Sequence, residues 1–386
     1  VDGFALPRRG HEQRTGGEKL TENPEEQSLT LVDLAQRLDT QNMVGFVRHF
    51  VADLRAGFSA VNASRFPWLD ELKNAPWSGV LCLGMGGSAA GGDFLSTLSS
   101  HGGGCPIIVH RDYTLPAWFD GTWLVLATSY SGNTEETVDA TQEALAKGAT
   151  AIVIASGGEL AGLPELHQRC YLVPVAGGQP PRTAFGHLFS RQVACLEALR
   201  LLPPSDAASR SAMLDRLEAN SAHFDVLEHP EGDIAMLAAG LVGRPLAVIG
   251  PTELLPAINR FKNQMNENAA RFVRMGVLPE MNHNESVAWG GIGPDGDEAA
   301  AEQALLLLTW PGMHPRVSQR LDWMVAHATT EHAWNLAGEG TSLMENLLYH
   351  CLVMDWLSMT LALLHGKDPA AIAPINALKA HLQSIQ

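Results

Sequence analysis

At 386 residues the chain is long enough for two domains, and 46% hydrophobic side chains are ample for two cores. With 42 acidic against 26 basic side chains the formal charge is −16, which argues against nucleic acid or an anionic membrane as a partner. Five cysteines (82, 105, 170, 195 and 351) form no CxxC pair, so neither a disulfide framework nor a zinc cluster is expected. The longest apolar stretches, 304–310 and 351–364, are short or broken by Asp355, so neither is expected to span a bilayer. No secretory leader is read, and the cytoplasm is the expected location.

Residues 1–28 are polar and without periodicity, and are expected to form a mobile tail. Leu29 to Ala63 is helical in pattern, with Phe46, Phe50 and Leu54 on one face. It reads as a leader helix packed on the first domain. From Gly79 the pattern becomes strand, turn, helix, repeated. Val80–Leu83, Ile107–Val109, Trp123–Ala127, Ala151–Ala155 and Tyr171–Val175 are five short apolar runs separated by helical or Gly-rich stretches. That alternation predicts a parallel α/β sheet flanked by helices. A helix over 185–202 and then Pro203-Pro204-Ser205-Asp206 place a boundary near 204, giving domains at 29–204 and 205–386.

The second half repeats the theme more loosely. Helices are expected at 209–227, 259–275, 342–365 and 375–385, and strands at 246–250, 304–309 and 325–333. It carries no copy of the Ser/Thr-rich turn described next, so a single anion site in the first half is expected.

Thr128-Ser-Tyr-Ser-Gly-Asn-Thr-Glu-Glu-Thr-Val138 joins the third run to a helix pattern over 135–147. Its hydroxyls (Ser129, Ser131, Thr134, Thr137) and Gly132 sit at a strand-to-helix turn, on the edge of a parallel sheet where ligands bind. A helix start offers free N–H groups and a positive dipole end, which suit a phosphate. One cap needs one hydroxyl rather than four, so a mere capping role is the weaker account. Gly84-Met85-Gly86-Gly87-Ser88 follows the first strand, where Gly87 would let backbone approach a ligand and Ser88 would begin a helix. It lacks the full spacing of a dinucleotide fingerprint.

Gly177-Gly178-Gln179-Pro180-Pro181-Arg182 follows the fifth run. Arg182 is either a guanidinium aimed at a developing oxyanion or a surface residue on a linker. Arg260 to Asn268 is rich in amides for a helix. Phe261, Met265, Ala269 and Phe272 make its apolar stripe, with Glu267 away from it. Glu267 is either a general base among amides or half of an exposed i, i+4 pair with Arg271. Asn282-His283-Asn284-Glu285 offers a histidine for proton transfer, or an ordinary polar loop. His283 and Glu285 are metal-ligating types, but further ligands at familiar spacing are missing, so no metal is expected. Lys379 alone reads as any lysine on a terminal helix.

Together these motifs resemble the bifunctional phosphoglucose/phosphomannose isomerase family, built from two sugar isomerase (SIS) domains. The resemblance runs from about Gly79 to Lys379. It rests on Gly84–Ser88 with Gly91-Gly92-Asp93, Ser129–Thr137, Pro181–Ala184, Asn266-Glu267-Asn268 and Asn282-His283-Asn284-Glu285. The Ser/Thr turn marks an SIS domain only; the Asn-Glu-Asn and Asn-His-Asn-Glu pieces are more specific. The resemblance implies two three-layer αβα SIS domains and a phosphosugar isomerase needing no cofactor and no metal. It implies that Gly87, Ser88, Ser129, Ser131 and Thr134 hold the sugar phosphate. It also implies Glu267 as the base, Arg182 as the group that steadies a cis-enediolate, and His283 and Lys379 as the ring-opening pair. A homodimer is implied, with His283 donated across the interface. Alternatives within the SIS group are a non-catalytic sugar-phosphate-binding regulator and an isomerase of another phosphosugar. The sequence departs from the family at Phe185-Gly186-His187, usually of Leu-Gly-Tyr type, and at Ala370–Ala373. The latter lacks a hydroxyl where a threonine is linked to accepting both C2 epimers.

Overall fold

Each short apolar run of the first half becomes a strand, and each Gly- or Ser-rich stretch after it becomes a turn into a helix. The computed structural model describes residues 29–385; the expected tail, 1–28, lies outside the described residues. The first half comprises α1 (Leu31–Leu38), α2 (Met43–Ala60), α3 (Trp68–Leu72), β1 (Gly79–Leu83), α4 (Gly86–Gly102), β2 (Ile107–His110) and β3 (Trp123–Thr128). It continues with α5 (Glu135–Ala146), β4 (Thr150–Ala155), α6 (Gly158–Leu166), β5 (Cys170–Pro174) and α7 (Phe185–Ala198). The second half comprises α8 (Ala207–His223), α9 (Asp233–Leu241), β6 (Leu246–Pro251), α10 (Leu255–Asn268), β7 (Val273–Leu278) and β8 (Ala304–Thr309). It ends with α11 (Pro315–His327), β9 (Ala333–Ala337), α12 (Leu343–Leu364) and α13 (Ala373–Ser384).

Both sheets are wholly parallel, ordered β2-β1-β3-β4-β5 and β7-β6-β8-β9. Strands β1, β4 and β6 are buried along their whole length, as strands covered on both faces must be. In the first sheet the chain runs outward one way from β1 to β2, and the other way from β3 to β4. The reversal between β1 and β3 opens a crevice at their carboxyl ends, where such sheets take ligands. The expected α/β architecture of two parallel sheets flanked by helices is therefore present.

One apolar core joins the halves. It includes Phe94 of α4, Phe185 and Phe189 of α7, Phe261 of α10 and Trp356 of α12, all fully buried. Burying a side chain of this size contributes about 1.5–3 kcal/mol. Separate clusters cover the outer faces, under α5 and α6 in the first sheet and under α11 in the second. Helix α12 is long and apolar enough to cross a membrane, but 94% of its apolar window is buried inside the fold, as befits a core helix.

Several boundaries differ from expectation. The leader is two helices. Asp39 breaks it by accepting from Met43 N and Val44 N at 2.6 and 2.9 Å, and Asn42 adopts φ 54°. Helix α2 packs on α7, whereas α1 lies against α12. The helix expected over 259–275 stops at Asn268, because Ala270 turns left-handed (φ 52°) and β7 begins at Val273. Phe272 therefore leaves the apolar stripe and is 96% exposed. Of the strand expected over 325–333, residues 325–327 are the end of α11, a helix started by Pro315 and an Arg316 N–H bond to the His314 ring, and 328–332 are a connecting loop. The strand follows as β9.

Candidate active site

The two glycine- and hydroxyl-bearing turns occupy the crevice between β1 and β3. Helix α4 starts after Met85 and α5 after Thr134, and neither has a side-chain cap. Two adjacent positive helix ends thus face one opening. Ser88 Oγ accepts from Tyr130 N at 3.1 Å, joining the turns. Ser129 Oγ lies 2.9 Å from Thr134 Oγ1 and accepts from Gly132 N at 3.1 Å. Ser131 is exposed at the rim, and its Oγ accepts from Asn133 N at 3.4 Å. Gly132 is required here: φ is 74°, and a Cβ would fall 1.7 Å from Gly157 O, on the turn after β4. The Asn133 side chain adds a brace, accepting from Glu159 N at 3.0 Å.

Gly87 connects this cradle to the next group. A Cβ there would lie 3.1 Å from Arg182 Cα and 3.2 Å from Pro181 O, so the glycine turn packs on the backbone of the arginine loop. Arg182 is buried rather than on a linker surface, with 4% exposure. Its Nε donates to Asn268 Oδ1 at 2.8 Å, its Nη2 to Pro369 O at 2.6 Å, and its Nη1 to Glu267 Oε2 at 3.4 Å. Burial lowers the arginine pKa, while the negative charges of Glu267 and Asp368 oppose this.

Glu267 and Asn268 end α10, whose Phe261 and Met265 anchor it in the core. Arg271 N bonds back to Met265 O and closes the helix. Glu267 is not paired with Arg271, which donates to Arg244 O. Its side chain is 26% exposed, and burial raises its pKa above the usual glutamate range. Arg182 and Lys379 pull the other way. The negative end of the α10 dipole adds to the upward push. Lys379 stands exposed on α13, within electrostatic reach of Glu267.

The structure thus gathers Arg182, Glu267 and Lys379, with Gly87 linking them to Ser88, Ser129, Ser131 and Thr134. It does not bring His283 into this cluster. His283 ends a short 3-10 turn after β7, is exposed, and makes no hydrogen bond or ion pair among the described residues. The neighbouring carboxylates are engaged elsewhere. Glu285 pairs with Arg274 at 3.0 Å and accepts from Trp289 Nε1, while Glu280 accepts from Asn284 Nδ2. Among the described residues no three or more His, Cys, Asp or Glu side chains gather as a metal site.

Sequence reasoning gave no role to Asn268, Ser358 or the Pro369 carbonyl. Asn268 Nδ2 donates to Ser358 Oγ at 3.0 Å, and Ser358 Oγ donates to Asp355 O at 3.0 Å. The signal was present as polar residues interrupting apolar α12, and as an amide density on α10 beyond what Glu267 needs. The Pro369 carbonyl has no signature in sequence. Its linker is held by Asp368, which accepts from Thr40 Oγ1 at 2.7 Å and Ala370 N at 2.8 Å.

A carboxylate of raised pKa, a guanidinium beside it and an anion cradle suit proton abstraction next to a carbonyl of a phosphorylated substrate. Residues 231–382 match the model of the bacterial phospho-glucose isomerase C-terminal SIS domain. The chain is 32% identical to the bifunctional phosphoglucose/phosphomannose isomerase of Aquifex aeolicus, over 83% of this chain and 95% of the relative. It is 30% identical to the Caldicellulosiruptor bescii protein of the same name, over 80% and 90%. In fold it resembles the C-terminal domain of glucosamine-fructose-6-phosphate aminotransferase from Francisella tularensis, with TM-score 0.68, 12% identity, and coverage of 86% and 98%. It also resembles tagatose-6-phosphate ketose/aldose isomerase from Escherichia coli, with TM-score 0.63, 14% identity, and coverage of 86% and 95%. The sequence identity, sustained along nearly the full length of these two curated relatives, shows that the chain belongs to the bifunctional phosphoglucose/phosphomannose isomerase family.

Proposed function

We propose that the protein is an aldose–ketose isomerase that converts glucose 6-phosphate, mannose 6-phosphate or both to fructose 6-phosphate. The cradle of Gly87, Ser88, Ser129, Ser131 and Thr134 holds the phosphate. Glu267 takes the C2 proton of the open-chain aldose. The electron pair forms the C1–C2 double bond, and the carbonyl oxygen becomes an oxyanion facing Arg182. Return of the proton to C1, with the O2 hydroxyl proton passing to O1, yields the 2-ketose. The two aldoses differ only at C2, which becomes planar in the enediolate, so one base serves both. His283 and Lys379 open the sugar ring, His283 reaching the site from a second copy of the chain. A homodimer of this kind is supported by the free, exposed His283 and by α13. That helix has no buried residue and exposes Ile375 and Leu378, with Ile385 exposed just past its end.

The observation that carries the reading is the contact of Arg182 with Glu267, whose pKa is raised by burial. A protein that only sensed a sugar phosphate would need no base so placed. The test is a coupled assay with each aldose 6-phosphate in excess chelator. Fructose 6-phosphate from either supports the proposal, and both establish dual specificity. No conversion of either, with binding intact, overturns it in favour of a sugar-phosphate-binding protein or an isomerase of another phosphosugar.

A further inference from the structure

The contact between Arg182 and Glu267 differs in form from the two-pronged arginine–carboxylate pairs of this protein. Arg260 grips the equally buried Asp355 with two nitrogens at 2.6 and 2.9 Å, and the half-exposed Arg216 grips the buried Glu345 at 2.6 and 2.8 Å. Such two-pronged pairs are the strong form of this interaction. Arg182 meets Glu267 through Nη1 alone, at 3.4 Å.

The cause is geometric. A guanidinium can offer a carboxylate two prongs side-on, through Nε and Nη2, or end-on, through Nη1 and Nη2. Nε is committed to Asn268 Oδ1 at 2.8 Å and Nη2 to Pro369 O at 2.6 Å. One prong remains. The Asn268 amide cannot flip to release Nε. Its Nδ2 donates to Ser358 Oγ, whose own hydrogen goes to Asp355 O, so a flipped amide would set NH2 groups against Arg182 and lose the serine. Asn268 is 3% exposed and Ser358 fully buried, so water does not stand in for either partner.

We infer that Asn268 is a positioning residue that holds Arg182 away from a closed ion pair with Glu267, keeping the two as separate oxyanion-binding cation and base. A closed pair would neutralise both. The carboxylate would be a weaker base, and Nη1 would be taken before an enediolate formed. The charged groups around Glu267 are consistent with this arrangement. Arg182, from the loop after β5, and Lys379, from α13, act on it; Asp368 acts on Arg182; and the α10–α12 charges, Arg260 and Asp355, satisfy each other.

The inference rests on the isomerase reading, and the experiment separates the two. Glu267 is titrated by NMR of its side-chain carboxyl carbon, and kcat and KM are followed against pH, in wild type, Asn268→Ala, Asn268→Asp and Ser358→Ala. In Asn268→Ala, Arg182 closes on Glu267. The glutamate then titrates at lower pH, the acid limb of kcat/KM moves down, and kcat falls about tenfold or more with KM little changed. Asn268→Asp keeps the acceptor and adds negative charge. It leaves Nη1 open to Glu267 and moves both titration and limb to higher pH. Ser358→Ala gives a smaller shift in the alanine direction. Opposite shifts in the two Asn268 variants support the inference even if the wild-type substrate proves to be another phosphosugar. Equal losses in both with an unmoved Glu267 titration overturn it and leave Asn268 merely structural. Should Asn268→Ala fail to fold, unmoved titrations in Asn268→Asp and Ser358→Ala overturn it equally.

Discussion

Glu267, on the last turn of α10, lies 3.4 Å from the guanidinium of Arg182, 85 residues earlier on the loop after β5. The contact spans the two halves of the chain. It joins the half that carries the Ser/Thr turn to the half that carries Glu267, so neither half holds the whole cluster.

Replacing Glu267 by Gln keeps shape and hydrogen bonding but removes the proton acceptor. We expect turnover to fall by about 10²–10⁴-fold. The substrate should still raise Tm, because the cradle is intact. A near-normal rate in that variant would remove Glu267 from the mechanism.

If His283 enters the partner's site, two inactive variants should complement each other. Glu267→Gln and His283→Ala homodimers are each expected to be nearly inactive. Unfolded together and refolded, they form heterodimers in which one of the two sites has both Glu267 and His283. About a quarter of wild-type activity should return under random pairing. No recovery, with mixed dimers demonstrated by mass spectrometry, would place His283 in its own subunit's site or outside catalysis.

Gly87 is the point where the glycine turn after β1 touches the Arg182 loop. A Cβ at 3.1 Å from Arg182 Cα forces the backbone apart by a few tenths of an ångström. Misplacement of reacting groups is costly even at small distances. Gly87→Ala should therefore lose activity about tenfold or more while Tm changes little. A fall in Tm in proportion to activity would make the glycine a packing residue only.

His350 on α12 is fully buried. Its Nε2 donates to Thr309 O at 3.0 Å, and its Nδ1 has no partner among the described residues. Burial lowers its pKa to about 4, with the Thr309 bond opposing. The unfolded chain binds a proton near its ordinary value while the folded protein resists one until about pH 4. Stability is thus fully present above about 6.5 and is lost as pH falls toward 4, by about 2 kcal/mol at pH 5. Thermal melts at pH 7.5 and 5 should show a smaller fall in Tm for His350→Gln than for wild type. An unchanged fall would exclude His350 as the source.

Much of the molecule was legible before any coordinates. The five strands of the first sheet, the Ser/Thr turn and the closing helix were readable because each is a local pattern. Side-chain period, hydroxyls at a turn and an unbroken apolar run are all set by neighbouring residues. Errors fell where one element imitated another. Ala269 and Phe272 continue the spacing of α10, yet a left-handed Ala270 ends that helix. Val325 looked like strand, but Pro315 had already committed the segment to a helix.

By itself the sequence determined the fold class, the family and the residue types available for chemistry. Only the tertiary structure decided that Arg182 is buried and that Asn268, Ser358 and the Pro369 carbonyl aim it. It also decided that Glu267 faces Arg182 instead of Arg271. The physical reason is range. Periodicity and capping act over a few residues, whereas the raised pKa of Glu267 and the single-pronged grip of Arg182 come from desolvation and contacts among segments near 182, 268, 358 and 369. Those segments meet only when the core between the two sheets closes.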